Sequence, residues 1–231
     1  MVIDDSAVEA ANLKHIRSSP IATTNLEMAT IAVMTLKRYL DETGFTSDDE
    51  TTLLRLAVRL INDAGACGKC AAAGYYQQAV AHIRDLIEVA FLLDLFRRKP
   101  EKIAEWRTAS EKDRKRNFKP IKIREELNAL DGSENENRKE AYEFYSGHGT
   151  HVTPDMSLIS PEANTIIGPF ADEKRVVLIT YDLTKWLCIA TSYFLKSMET
   201  SRASSSENGL ELAMQMFNFS TSMTRWLSKS R

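Results

Sequence analysis

The sequence predicts an all-α protein, a mainly antiparallel bundle of helices with one long irregular loop at about residues 147–171. Apolar residues recur at helical spacing along most of the 231 residues. Patterns typical of helix starts precede several of these stretches, and no proline interrupts the chain between Ile21 and Lys99. We interpret residues 1–231 as a single helical domain, to which residues 1–22 are attached loosely.

The first helices are placed by capping boxes, in which a Ser or Thr side chain and a Glu three residues later satisfy free backbone N–H groups. Thr24-Asn-Leu-Glu27 is one such pattern and predicts a helix that ends at Gly44. Ser47-Asp-Asp-Glu50 is another and begins the second helix. A third helix, from about Tyr75 to Arg98, carries a long apolar stripe. The break before it falls at one of three glycines, Gly65, Gly68 or Gly74.

Prolines place the next helices, because proline is well tolerated at the first helical position. Pro100 and Pro120 precede helices that we predict at Glu101–Thr108 and Ile121–Leu130. The polar stretch from Asp131 to Asn137 is predicted to be a linker.

The last part of the chain contains three helices and the irregular loop. A helix from about Arg138 to Tyr145 leads into the loop, which holds three of the six prolines and is long enough to carry function. Two final helices, Asp172–Met198 and about Glu207–Leu227, complete the bundle. Three serines at positions 204–206 mark the turn between them.

The amino-acid composition limits the classes of protein to which this chain can belong. The hydrophobic fraction of 43% and the charged fraction of 27% are ordinary for a globular chain. No apolar run is long enough to span a bilayer, so we expect no membrane partner. Three cysteines, an odd number, argue against a disulfide framework and for a reducing compartment. We therefore predict a cytoplasmic protein.

Charge is distributed unevenly. Residues 97–124, which we call the basic block, contain twelve Lys and Arg against four Asp and Glu, a local net charge of +8. Residues 125–143 contain seven acids and two bases, a local net charge of −5. The simpler interpretation of the basic block is a solvated helical face or an intramolecular partner for the acidic segment. The alternative is a surface that binds RNA.

Glu88 is the first candidate for a functional residue, because it is the only charge between Leu86 and Leu93. Arg84 lies one turn earlier on the same helical face. Since an unpaired carboxylate is costly to bury, we predict that Glu88 is buried against Arg84 or another base, and that Glu88→Ala costs roughly 3–5 kcal/mol. The pair is either structural, tying this helix to a neighbour, or functional, with Glu88 as a base or ligand and Arg84 as an anion clamp.

His148-Gly-Thr-His151 is a His-x-x-His pattern in the predicted loop. Neutral imidazoles there are candidate ligands of a transition metal, with Glu143 or Asp155 as a third ligand. The alternatives are a histidine that caps a helix C-terminus after Tyr145 and a general acid or base. The sequence has no Walker motif, Rossmann fingerprint or nucleophile elbow, so we expect no cofactor.

Several segments between Tyr75 and Lys174 resemble uncharacterised helical proteins of bacteria and, more distantly, the HEPN-like and abortive-infection helical families. The segments are Ile83-Arg-Asp-Leu-Ile-Glu88, Leu92-Leu-Asp-Leu-Phe-Arg97, Pro100-Glu-Lys-Ile-Ala-Glu-Trp106, Tyr145-Ser-Gly-His148 and Ile167-Gly-Pro-Phe170. The resemblance implies a helical bundle, a homodimer and, in active members, a metal-independent ribonuclease. The motif of that family is an Arg followed within a few residues by a His. Here the nearest arrangement is Arg138 with His148, with nine residues between them.

Three functional hypotheses follow. The first is a HEPN-like protein associated with RNA or defence, a ribonuclease or its inactive relative, whose candidate catalytic residues lie near one cleft: Arg84, Glu88, Arg138 and His148. The second is a non-catalytic helical module that binds a protein or small ligand through the same cleft. The third is a metal-dependent hydrolase that uses His148, His151 and Glu88. We also predict that the loop at residues 147–170 packs back on the helix of Arg84 and brings His148 close to it.

Overall fold

The computed structural model describes residues 3–42, 47–132, 136–151, 168–202 and 209–229. Within these ranges every regular element is an α-helix, which confirms the predicted all-α fold. Numbered along the chain, the ten helices of these ranges are α1 (Ser6–Ser18), α2 (Pro20–Glu42), α3 (Asp48–Ala72), α4 (Tyr76–Arg98), α5 (Glu101–Thr108), α6 (Glu111–Asn117), α7 (Pro120–Asp131), α8 (Glu136–Gly149), α9 (Glu173–Arg202) and α10 (Gly209–Lys229).

Helices α4 and α9 form the centre of the bundle. Helix α4 packs against α3, α8 and α9, and α9 also packs against α2 and α3. Burying a Leu, Ile or Phe side chain stabilises a fold by about 1.5–3 kcal/mol, so these central contacts contribute much of the stability. The fully buried side chains of α4 and α9 include Ile83, Leu86, Ile87, Leu187 and Phe194.

Helix α1 belongs to the bundle, although the sequence predicts that residues 1–22 are attached loosely. Asn12 of α1 is completely buried. Its amide nitrogen donates to the carbonyl of Ala72 over 3.1 Å. Its amide oxygen accepts hydrogen bonds from the Tyr76 hydroxyl and the Asp172 backbone N–H, each over 3.1 Å. A buried polar side chain with these partners fixes α1 against its neighbours.

The helix cap at Ser47 and the break after α3 are as the sequence indicates. The Ser47 hydroxyl oxygen accepts a backbone N–H of the first turn of α3 over 3.1 Å. Helix α3 runs through Gly65 and Gly68 and ends just before Gly74, the third candidate for the break. Gly74 has a φ of +83°, and a Cβ there would lie 2.6 Å from the Phe170 carbonyl oxygen. Only glycine fits this position without strain.

Helix α2 starts earlier than predicted. It begins at Pro20, before the predicted cap at Thr24. Ser19 acts as the cap instead, because its hydroxyl oxygen accepts the Ala22 backbone N–H over 3.3 Å and Pro20 occupies the first helical position. The predicted end at Gly44 lies outside the described residues.

Short helices connect α4 to α8. Pro120 occupies the first position of α7 as predicted, whereas Pro100 is the residue before α5. Helix α6 is not predicted from the sequence, because its seven residues are all polar or charged and show no apolar periodicity. The hydroxyl oxygen of Ser110 caps α6 by accepting the Asp113 backbone N–H over 3.1 Å.

Helix α8 is longer than predicted, and this places His148 in a helix rather than in a loop. The helix spans Glu136–Gly149 instead of residues 138–145, so His148 lies in its last turn. Residues 152–167, which make up most of the predicted loop, lie outside the described residues. The same holds for the predicted turn at residues 204–206.

Helices α4 and α8 lie antiparallel and in close contact. Arg138 of α8 contacts Asp94 near the end of α4, and Gly149 lies against Ala81 near its beginning. A Cβ on Gly149 would lie 2.8 Å from the Ala81 nitrogen. The helices therefore meet this closely because glycine has no side chain. This contact positions the polar side chains of α8 over α4.

Helix α9 is the longest element, with 30 residues. Its polar side chains are partly turned inward: the Thr184 hydroxyl is buried and donates to the Asn25 carbonyl over 2.9 Å. None of the helices in the described ranges, α9 included, combines the length and the apolar character needed to cross a membrane.

Candidate functional site

The Arg84–Glu88 pair predicted from the sequence is present on the side of α4 that faces α8. Arg84 Nη2 lies 2.5 Å from Glu88 Oε1. The Tyr142 hydroxyl of α8 accepts from Arg84 Nη2 over 2.8 Å and donates to Glu88 Oε1 over 3.2 Å. Ser146 Oγ accepts from Arg84 Nε over 3.1 Å. The pair therefore ties α4 to α8, as its structural interpretation expects.

Glu88 is less buried than the sequence predicts. Its side chain is 28% exposed and that of Arg84 is 22% exposed, whereas Leu86 and Leu93 are fully buried. The reason is that Glu88 lines a narrow opening beside α7. The carboxylate is thus paired but still reached by solvent.

Arg138 belongs to a different set of contacts, centred on Asp94, which is 1% exposed. Arg97, Arg98 and Arg138 place guanidinium nitrogens 2.5, 3.0 and 3.4 Å from its carboxylate oxygens. Arg98 and Arg138 also bind Asp131 of α7, over 2.5 and 2.6 Å. We refer to these five residues as the Asp94 cluster. It joins α4, α7 and α8, and its buried carboxylate is well compensated.

The two histidines take separate positions. His148 Nδ1 lies 2.8 Å from the carbonyl oxygen of Phe144, one turn earlier in α8, and the two rings lie 4.4 Å apart between centroids. His148 thus contacts a carbonyl oxygen inside its own helix, rather than one of the free carbonyls at the C-terminus of α8. His151 follows α8 and lines a shallow groove together with Tyr142 and Ser146. His151, rather than His148, therefore shares a groove with the residues that bind Arg84.

Separate sets of contacts hold the four candidate catalytic residues: Arg84 with Glu88, Arg138 in the Asp94 cluster, and His148 on its own helix backbone. These contacts do not combine them into one acid–base unit. In the described part of the chain, no three His, Cys, Asp or Glu side chains are arranged to hold a metal ion. Asp155, a candidate third ligand, lies outside the described residues.

A second charged cluster, which the sequence analysis does not predict, lies on the side of α4 that faces α3. Arg59 of α3 holds Asp85 of α4, with Nε and Nη2 each 2.6 Å from one carboxylate oxygen. Asp63 Oδ1 lies 2.9 Å from Nδ1 of His82. Asp63 Oδ2 is buried and lies 3.9 Å from Arg59 Nε, beyond hydrogen-bonding distance. Two neighbouring carboxyl groups therefore share one arginine. We call these four residues the Asp63–Asp85 cluster.

The two carboxyl groups of this cluster differ in their affinity for a proton. Burial and the adjacent Asp85 carboxyl raise the pKa of Asp63 to about 6, and His82 opposes that rise. Burial would also raise the pKa of Asp85, but the hydrogen bonds from Arg59 and Asp63 outweigh burial and lower it. Asp63 therefore keeps its proton to a higher pH than Asp85 does.

A groove of about 560 Å³ opens above this cluster, between α3, α4, α5 and α6. Its volume is in the range typical of small-molecule sites. We call it the arginine groove. Two aspartates of the cluster, Asp63 and Asp85, lie at its floor. The cations that line it are Arg55, Arg59, Arg107 and Arg114.

The four arginines are neutralised to different extents. Arg59 and Arg107 are held by aspartates of α3 and α4. Arg114 donates a hydrogen bond to the backbone carbonyl of Ala109 over 2.9 Å. Within the described ranges, neither Arg55 nor Arg114 forms a salt bridge with a carboxylate. Among the described residues, these two side chains are therefore the cations of the groove that are not paired with a carboxylate.

Most of the basic block is neutralised within the protein. In the described ranges, eight of its twelve Lys and Arg side chains form salt bridges. Some of these salt bridges join the basic block to the acidic residues 125–143. For those residues, this supports the interpretation of the block as an intramolecular partner of the acidic segment. The bridges between the two segments are Arg98–Asp131, Lys99–Glu126 and Lys122–Glu125. Arg114 is one of the four cations of the block that form no salt bridge within the described residues, and it lines the arginine groove.

No family model, curated protein or solved structure matches this chain. The assignment of a site therefore depends on the geometry of the chain itself.

The sequence contains only a weak indication of the Asp63–Asp85 cluster. Arg59 and Asp63 stand one turn apart on a predicted helix, and His82 and Asp85 stand one turn apart on the next. Each pair alone is typical of an exposed helical face. Only the packing of α3 on α4 shows that the two pairs meet.

Proposed function

We propose that this chain is a non-catalytic helical module that binds single-stranded RNA, with the phosphates in the arginine groove. The observation that carries the proposal is that Arg55 and Arg114, which form no salt bridge within the described residues, line one cavity together with Arg59 and Arg107. A guanidinium group binds phosphate through two parallel, charge-assisted hydrogen bonds, which makes arginine the preferred residue for such contacts. Arg107 and Arg114 belong to the basic block. The groove is therefore the place where side chains of the basic block are best arranged to bind RNA.

The aromatic side chain in the groove supports RNA as the ligand. Trp106 lines the groove next to the arginines and is partly exposed. Its edge-to-face contact with Phe96, with centroids 6.0 Å apart, orients the ring. Proteins that bind single strands combine cations for the backbone with aromatic rings on which bases stack. The groove contains both.

Binding is favoured over catalysis because the candidate catalytic residues are held in separate contacts. Arg84 and Glu88 bind each other, and Arg138 is part of the Asp94 cluster. RNA incubated with the protein should therefore be recovered intact. Cleavage that survives a chelator would favour the HEPN-like ribonuclease, and cleavage that a chelator stops would favour the metal-dependent hydrolase.

Cytoplasmic location and self-association are further parts of the proposal. The three cysteines are free thiols, and Cys67 and Cys188 are buried, which supports a reducing compartment. The homodimer implied by the family resemblance predicts twice the chain mass in sedimentation equilibrium.

The test of the proposed function is the binding of a fluorescein-labelled single-stranded RNA, followed by anisotropy at several salt concentrations. Replacing Arg55 and Arg114 together by Ala should weaken binding about 10- to 100-fold, because two charge-assisted contacts are lost. The slope of log affinity against log salt should also become shallower by about 0.7 for each lost phosphate contact.

The matched control replaces Lys115 and Arg116 by Ala. These side chains are exposed, lie in the same helix as Arg114 and pair with Glu111 and Asp113. The control removes the same formal charge and should change affinity by no more than about twofold. An equal loss in both double variants would indicate diffuse attraction and contradict the groove as the site. A wild-type protein that does not bind RNA at low salt would refute the proposed function.

A further inference from the structure

A narrow slot opens from the arginine groove between α4 and α7. Its volume is about 180 Å³. The slot and the groove share several lining residues, so they are two parts of one continuous depression. The shared residues are Leu56, Arg59, Asp85 and Trp106.

The walls of the slot are apolar and rich in rings. Phe91, Trp106 and Phe118 line it together with Ile123 of α7. Phe91, Phe118 and Ile123 are buried in the protein, so the walls are held in place. Sites for whole drug-sized ligands measure about 300–1,000 Å³. A slot of this size therefore suits a single flat ring.

Among the described residues, Glu88 is the carboxylate at the slot that has one oxygen outside its own ion pair and hydrogen bonds. Its contacts with Arg84 and Tyr142 both fall on Oε1. Asp85 is the other carboxylate there, and each of its oxygens is held by Arg59. Within the described part of the chain, the contacts on Oε1 fix the orientation of Glu88, and its second oxygen is left to accept a hydrogen bond.

We propose that the slot takes one base of the RNA strand whose phosphates lie in the arginine groove, and that Glu88 selects cytosine there. This inference rests on the proposed function and adds sequence preference to it. Contacts with phosphates position a nucleic acid but do not read its sequence, whereas contacts with base edges do.

The choice of cytosine follows from the chemistry of the slot. A carboxylate accepts a hydrogen bond from the 4-amino group of cytosine. Uracil has nearly the same shape but carries a carbonyl oxygen at that position, which a carboxylate repels. The slot is smaller than a typical ligand site, so a pyrimidine base fits it more readily than the larger purine bases do. Stacking on Trp106 would bind either pyrimidine, so Glu88 supplies the discrimination.

The experiment compares three labelled chains of equal length: oligo(C), oligo(U) and a sugar–phosphate chain without bases. Wild-type protein should prefer oligo(C) to oligo(U) by about tenfold, the effect of one good base contact. In Glu88→Gln the ratio should fall to near one, because the amide donates to the uracil carbonyl as well as accepting from cytosine. Affinity for the abasic chain should stay the same, since that chain uses the groove alone.

Two further variants complete the design. Trp106→Leu should bring the affinities for oligo(C) and oligo(U) down toward that of the abasic chain, because stacking is lost. Glu125→Gln is the matched control: it makes the same chemical change on exposed Glu125 of α7, which pairs with Lys122. It should leave the preference for cytosine unchanged.

The outcomes separate this inference from the proposed function. A wild-type protein that binds all three chains without preferring cytosine, or a preference that survives Glu88→Gln, would overturn the slot as a reader of bases while leaving the groove in place. The same holds if Trp106→Leu binds oligo(C) as tightly as wild type does. Failure of the wild type to bind any of the chains would instead overturn the proposed function.

Discussion

The two charged sides of α4 differ in how completely the rest of the protein neutralises them. On the side toward α8, Asp94 is 1% exposed and has three arginines around it. On the side toward α3, Asp63 and Asp85 share Arg59 and lie at the floor of the arginine groove. The Asp94 cluster is closed and structural, whereas the Asp63–Asp85 cluster leaves charge and space for a ligand. Incomplete neutralisation beside a cavity, rather than the number of charges, therefore marks the candidate site.

The Asp94 cluster should show the largest loss of stability when a charge is removed. Asp94→Ala takes away the buried carboxylate that compensates three guanidinium groups, so the free energy of unfolding should fall by about 3–5 kcal/mol. Urea denaturation followed by circular dichroism measures the change. Glu111→Ala, which removes an exposed carboxylate paired with Lys115, should leave stability unchanged within error. If the two variants are equally stable, the Asp94 cluster is not the structural centre described above.

The close contact of α8 with α4 should be the next most sensitive feature. Gly149→Ala places a Cβ 2.8 Å from the Ala81 nitrogen, so the helices must move apart at a cost of about 1–3 kcal/mol. Gly65→Ala is the matched control, since nothing lies within 4 Å of a Cβ there. That variant should gain about 0.5–1 kcal/mol, because alanine is the better helix former. A stabilised Gly149→Ala would show that the two helices are not held this closely.

Glu88→Ala should lower the free energy of unfolding by less than the roughly 3–5 kcal/mol predicted from the sequence. The pair with Arg84 is partly exposed on both sides, so water replaces part of the lost interaction and the expected loss is about 1–2 kcal/mol. A double-mutant cycle with Arg84→Ala isolates the coupling between the two side chains. A loss above about 3 kcal/mol would instead support the fully buried pair that the apolar run indicates.

The Asp63–Asp85 cluster should make the stability of the protein depend on pH. The pKa of Asp63 is raised to about 6 in the folded protein, against about 3.9 in an unfolded chain. Between these values the folded state binds more protons, so the contribution of Asp63 to stability is present below about pH 4 and is lost as the pH rises through about 6. The lowered pKa of Asp85 acts in the opposite sense and below pH 4, outside this window.

Asp63→Asn isolates that contribution, because the amide cannot ionise. The stability of the variant relative to wild type should increase as the pH rises from about 4 to about 6 and stay level above that. Urea denaturation at several pH values measures the difference. A difference that is constant across the window would show that the pKa of Asp63 is not raised in the folded protein.

Much of the helical architecture was predictable, because local patterns specify it. The cap at Ser47 and the helix that becomes α4 are confirmed. Helix α6 was missed since it has no apolar stripe, and its ordering depends on the Ser110 cap and on packing beside α7. The docking of α1 was missed because it depends on Asn12, a polar residue whose partners lie about 60 or more positions away in the sequence.

The helical character of the chain and the contact of Arg84 with Glu88 follow from the amino-acid sequence, because both depend on residues within about one helical turn. The packing of the helices is needed to bring Arg59 to Asp85, to bring Arg138 into the Asp94 cluster, and to open a groove and slot beside them. These contacts join different helices. Their relative rotation and height are set by how the whole apolar core packs, and no local pattern of residues carries that information.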